Sequence, residues 1–90
     1  MTNDPRATIL LVEDDPGVAR LEALRLERAG YAVATAATAA QGLDRMAAGG
    51  VDLIVLDQNL SHGTSGLALF RQVKAAGHNV PAILVTGMQE

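Results

Sequence analysis

Residues 9–16 read Ile9-Leu10-Leu11-Val12-Glu13-Asp14-Asp15-Pro16, a short apolar run that ends abruptly in acids. Two more runs of this kind follow. Val51-Asp52-Leu53-Ile54-Val55-Leu56-Asp57 also ends in an acid, and Ala82-Ile83-Leu84-Val85-Thr86 begins just after Pro81. Runs that are apolar on both alternating faces and rich in β-branched residues suit strands buried on both sides of a parallel sheet. Tyr31-Ala32-Val33-Ala34-Thr35 is a weaker run of the same kind and supplies the fourth strand.

The stretches between these runs read as helices. Asp15 before Pro16 has the form of an N-cap followed by proline at the first helical position. That helix is predicted to reach about Ala29 and stop at Gly30, with Val18, Leu21, Leu24 and Leu26 as an imperfect apolar stripe. Thr38 and Gln41 have capping-box spacing and open a second helix through Leu43 and Met46 to Gly49-Gly50. A third begins near Ser65-Gly66 and carries Leu67, Phe70 and Val73 before Gly77. The predicted order β-α-β-α-β-α-β, with short connections, implies right-handed crossovers and an α/β, doubly wound parallel sheet. After the fourth strand only Gly87 to Glu90 remain, so that strand has no covering helix or neighbour and the fold reads as unfinished.

Composition narrows the function. In 90 residues, 49% hydrophobic and 19% charged, there is room for one packed domain. No apolar stretch approaches the ~20 residues that span a bilayer, and the first residues lack the pattern of a signal peptide. A soluble, cytoplasmic chain with no membrane partner is the expectation. Cysteine is absent, which excludes disulfides, thiolate metal sites and cysteine nucleophiles. The net charge is −3, and without Glu13, Asp14, Asp15 and Asp57 it would be +1, so the acidity is local. Tyr31 and Phe70 are the only aromatics and no basic run accompanies them, which argues against nucleic-acid binding by this segment.

Ligands of open parallel sheets sit outside the carboxyl ends of the strands. If the first and third strands are neighbours, Glu13, Asp14 and Asp57 converge there. Like charges at ~4 Å cost about 4 kcal/mol even at an effective dielectric of 20, and a divalent cation resolves that conflict. Oxygen-only ligands favour Mg²⁺, with Mn²⁺ next. Mg²⁺ held by one or two carboxylates commonly meets a phosphate, and a carboxylate can act as nucleophile to form an acyl phosphate. Thr86 can offer a hydroxyl to a phosphoryl oxygen, and Gly87 a backbone N–H. Other polar residues have plainer readings. Asp15 is a cap, Asp52 an exposed strand-entry residue, and His62 and His78 are solvated loop residues. Gly63-Thr64-Ser65-Gly66 is a turn that lacks the rest of a phosphate-loop fingerprint. Gln58 is placed beside the site.

The segments ILLVEDDP (9–16), VDLIVLDQNL (51–60) and PAILVTG (81–87), in this order and spacing, resemble the receiver domain of bacterial response regulators of two-component systems. The resemblance implies a CheY-like sheet with strand order 2-1-3-4, the family's fifth β/α unit missing. It divides the chain into a leader, 1–8, and a receiver, 9–90, incomplete at its C-terminus. Met1 and so short a leader predict that any effector domain lies downstream. The resemblance further implies that Asp57 accepts a phosphoryl group from a phosphohistidine of a sensor histidine kinase or histidine phosphotransfer protein. Asp14 would ligate Mg²⁺ directly, Glu13 through water, and the Asn59 backbone carbonyl would be a further ligand. Thr86 would bind the phosphoryl group and swing toward it on activation.

Three departures stand out. The family lysine at the end of the fifth strand has no counterpart, since Lys74, the single lysine, lies on the third helix. The usual proline four residues after the acceptor is Ser61. Asp57 to Gly66 is nine positions, one longer than the commonest form. The missing lysine keeps a second reading in view, a receiver-fold interaction module that is not phosphorylated. A third is an unrelated Mg²⁺-dependent phosphohydrolase, but the DxD motif of one large class of those is absent, since Asn59 holds the third place. The bare edge of the fourth strand predicts a homodimer or strand exchange.

Overall fold

The computed structural model of the chain describes residues 6–57 and 65–85. Four strands alternate with three helices in chain order: β1 (Thr8–Val12), α1 (Pro16–Arg28), β2 (Ala32–Ala36), α2 (Ala39–Ala48), β3 (Leu53–Asp57), α3 (Gly66–Ala75) and β4 (Ala82–Val85). All neighbouring strands are parallel, in the order β2-β1-β3-β4. This is the doubly wound α/β sheet expected from the alternation.

Each helix starts where its capping side chain dictates. The Asp15 carboxylate accepts from the N–H groups of Gly17 (2.9 Å) and Val18 (3.1 Å), with Pro16 at the first helical position. The Thr38 hydroxyl accepts from Gln41 N–H at 3.1 Å, while the Gln41 side chain accepts from Ala37 N–H at 2.8 Å. The reciprocal bond of the capping box therefore lands one residue ahead of the cap. Ser65, read from sequence as part of a turn, caps α3 by accepting from Ala68 N–H at 3.0 Å. Gly30 and Gly77 follow the ends of α1 and α3 with φ of 105° and 91°, a region that side chains disfavour.

One face of the sheet holds the main core. Leu10 and Val12 of β1 with Ile54 and Leu56 of β3 pack against Met46 of α2 and Leu69 and Val73 of α3. Leu69 was not among the predicted core positions of α3, whereas Leu67 and Phe70 are only half-buried. Helix α1 covers β2 and β1 on the opposite face. Here the structure corrects the sequence reading. Ala19 is the buried residue of α1 and Leu26 is half-buried, but Val18, Leu21 and Leu24 are exposed. The predicted stripe followed the large side chains. The helix instead turns its small residues, Ala19 and Ala23, inward so that its backbone lies close to the sheet.

The fourth strand departs in the same way from burial on both sides. Ile83, Leu84 and Val85 are 51%, 40% and 41% exposed. Strand β4 pairs only with β3 among the described residues, and α3 covers just one of its faces.

Candidate functional site

Register gathers the acids. Val12 pairs with Leu56, so the residues that follow them, Glu13 and Asp57, come side by side at the carboxyl end of the two central strands. Glu13 N–H donates to Ala36 O at 3.0 Å, which carries the β1–β2 ladder one residue beyond the strand. Its side chain accepts from Asp15 N–H at 3.1 Å. Carboxylate oxygens of Glu13, Asp14 and Asp57 lie within 4.8 Å of one another, and all three residues are half-buried.

Burial raises the Glu13 carboxyl from 4.5 to about 7, and the neighbouring Asp57 and Asp14 push in the same direction. The Asp15 N–H opposes the rise by stabilising the charged form. Three hard oxygen donors in so small a space, one of them half-protonated near neutrality, fit a divalent cation of the Mg²⁺ or Mn²⁺ type.

A cleft of about 430 Å³ opens beside Glu13 and Asp14, between the start of α1 and the end of β2. Arg20 and Thr35 line it. Sequence reasoning did not single out Arg20, which stands on the first turns of α1 only because Asp15 fixes where that helix begins. Asp15 itself is exposed and caps, as expected. Asp52 is exposed too, yet its carboxylate accepts from Thr8 N–H at 2.8 Å and so ties β3 to β1 at the end remote from the acids. His78 is half-buried in the loop after α3. Lys74 is committed elsewhere: its Nζ donates to the Asn79 side chain at 3.2 Å and lies 5.6 Å from the Phe70 ring centroid. Gln58, Asn59, Ser61, His62, Thr86 and Gly87 lie outside the described residues.

Comparison with known proteins agrees with this geometry. The model of the response regulator receiver domain family matches residues 9–90, and the chain belongs to that family. It is 41% identical over 78 residues to the transcriptional regulatory protein YkoG of Bacillus subtilis, covering 87% of this chain and 34% of that protein. It is 37% identical over 86 residues to the transcriptional regulatory protein GlrR of Escherichia coli, covering 96% of this chain and 19% of that one. The chain thus spans about a third of the length of the first relative and about a fifth of the second. Among solved structures it resembles the response regulator TrrA of Thermotoga maritima in complex with Mg²⁺-BeF. That match has a TM-score of 0.81 and 30% identity over 89% of this chain and 69% of that one. A CheY-like receiver domain from Methylobacillus flagellatus superposes with a TM-score of 0.85 and 29% identity, covering 92% and 71% of the two chains. No described helix is long and apolar enough to cross a membrane.

Proposed function

We propose that this receiver domain is phosphorylated on Asp57 by a histidine kinase or histidine phosphotransfer protein, in the cytoplasm of a bacterium, and passes the signal to a downstream effector. The observation that carries this reading is the convergence of Glu13, Asp14 and Asp57 within 4.8 Å at the carboxyl end of the central strands. An Asp57 carboxylate oxygen attacks the phosphorus of the phosphohistidine, the P–N bond breaks, and the imidazole nitrogen leaves with its electron pair and takes up a proton. The product is an acyl phosphate on Asp57 and a neutral histidine. Glu13 and Asp14, with Asp57 and the Asn59 backbone carbonyl, would hold Mg²⁺, Glu13 acting through water. When bound, the ion supplies positive charge that offsets the acids and the incoming phosphoryl oxygens. Thr86 and Gly87 would bind those oxygens. That TrrA was solved in complex with Mg²⁺-BeF supports a Mg²⁺ site in this chain. The receiver corresponds to residues 9–90 and the leader to residues 1–8.

The phosphoryl group adds nearly two negative charges and three acceptor oxygens at the end of β3. Strand β4 flanks β3 there on the side away from β1, Val85 being paired with Asp57, so it lies directly against the change.

The second reading, a receiver-fold interaction module without phosphorylation, draws on Lys74, whose ammonium is bonded to Asn79 in the loop that follows α3. Intact mass after incubation with acetyl phosphate and Mg²⁺ separates the two. One added phosphoryl group, absent from Asp57→Asn and from a metal-free sample, establishes the acceptor. No adduct on a chain that circular dichroism reports as folded leaves the interaction module.

A further inference from the structure

The cleft of about 430 Å³ beside Glu13 and Asp14 is completed by Ala19 and Arg20 of α1 and by Thr35, Ala36 and Ala37 at the end of β2. Its room comes from small side chains, three alanines among them. The backbone donors around it are already used. Gly17 and Val18 N–H groups go to the Asp15 carboxylate, and Ala37 N–H goes to the Gln41 side chain. The side-chain donors on its wall are the Arg20 guanidinium and the Thr35 hydroxyl. Both residues are exposed, and neither side chain is paired with another described residue. A cation without a partner thus shares a cleft with two of the clustered acids.

The strand order gives that cation a place in the reaction. Strand β1 lies between β3 and β2, so the cleft opens on the side of Glu13 and Asp14 away from Asp57. Two strand spacings, ~10 Å, separate the ends of β3 and β2. In an in-line displacement the leaving group departs from the phosphorus opposite the attacking oxygen. A donor lying along the strand ends, with its phosphorus ~3 Å from an Asp57 oxygen, carries its leaving group over the two acids and into this cleft. The remaining ~7 Å holds the scissile bond, a small acyl group and one hydrogen bond to a guanidinium.

We propose that this cleft receives the leaving group of the phosphodonor and that Arg20 makes it selective for donors whose leaving group departs as an anion. The proposal rests on Asp57 being the acceptor. With an acyl phosphate, an Asp57 oxygen attacks the phosphorus, the bond from phosphorus to the bridging oxygen breaks, and a carboxylate leaves with the electron pair. The two carboxylate oxygens match the planar fork of a guanidinium. Their charge grows as the bond breaks, so the contact with Arg20 is strongest in the transition state, where it also offsets repulsion from Glu13 and Asp14. A donor with a nitrogen leaving group gains nothing comparable, because the nitrogen takes up a proton and departs uncharged.

Intact mass followed over time, with acetyl phosphate and with phosphoramidate at the same Mg²⁺ concentration, tests this on the 90-residue chain. The readout is the ratio of the two initial rates of adduct formation on Asp57. Both rates come from one preparation, so the folded fraction cancels. Arg20→Ala should lower the ratio of the acetyl phosphate rate to the phosphoramidate rate about tenfold, the effect of one charge-assisted hydrogen bond. Arg20→Lys keeps the charge but not the fork and should recover only part of the loss. Ala37→Leu fills the cleft from the β2 side with Arg20 in place and should lower the ratio too. An unchanged ratio in Arg20→Ala would overturn the proposal. So would full recovery by Arg20→Lys, the mark of net charge alone. No adduct from either donor on the folded parent chain would instead remove Asp57 as acceptor, and this role of Arg20 with it.

Discussion

Gly66 begins α3 so close to Asp57 that a Cβ on it would stand 2.6 Å from the Asp57 carbonyl oxygen and 2.9 Å from Cδ2 of Leu84. The helix thus touches the backbone of the proposed acceptor and the exposed edge strand at one point, and only a residue without a side chain permits both contacts. Gly66→Ala must push α3 off one of them. The cost expected for such overpacking is about 1–3 kcal/mol, visible as a lower urea midpoint with an unchanged slope. Slower uptake of the phosphoryl group on Asp57 should accompany it.

Glu13 sets a pH dependence in metal-free solution. Its carboxyl is raised to about 7 in the folded chain and returns to 4.5 on unfolding, so between these values the folded chain binds more protons. Its contribution is therefore fully present below about 4.5 and is lost as pH rises through 7. Because the group is half-buried and screened, about 1 kcal/mol of pH-dependent stability is expected. Thermal melts in EDTA from pH 5 to pH 8 should fall for the parent chain and flatten for Glu13→Gln.

Adding Mg²⁺ should reverse that fall. An ion that binds only the folded chain stabilises it by about 2.7 kcal/mol at one hundred times its dissociation constant. Asp14→Asn removes one negative charge from the cluster, so the metal-free variant should melt above the parent while its response to Mg²⁺ shrinks. A melting temperature that Mg²⁺ leaves unmoved at pH 8 in the parent would refute the proposed ion site.

Asp15 and Glu13 are two residues apart, yet their substitutions should part company. Asp15→Ala loses two cap bonds at the start of α1 and should cost about 1 kcal/mol of stability. It also leaves Asp57 and its two acidic neighbours in place, so the acetyl phosphate adduct should persist. Urea melts and intact mass, run on the same sample, check both halves.

Much of this architecture was legible because the residues that decide it act locally. Asp15, Thr38 and Ser65 each bond to amides two or three positions on, and the acids sit at the end of β3 and directly after β1. The neighbourhood of β1 and β3, a relation across 44 positions, had to be supposed from the fold class before the acids could be brought together. What escaped depends on rotation and on distant partners. Which side of α1 meets the sheet is decided by how closely Ala19 and Ala23 let it approach, and summed hydrophobicity points instead to Leu21 and Leu24. The bond from Thr8 N–H to the Asp52 carboxylate also joins residues 44 apart, and nothing near Asp52 announces it.

The strand order has a consequence for synthesis. Strand β1 is made first but ends between β2 and β3, with Leu11 opposite Val55. At about 5–20 residues per second, the ribosome needs roughly 2 to 9 seconds to deliver Val55 after Leu11. For that interval the most apolar segment of the nascent chain, Ile9 to Val12, has at best one neighbour, and it is a natural place for a chaperone to hold.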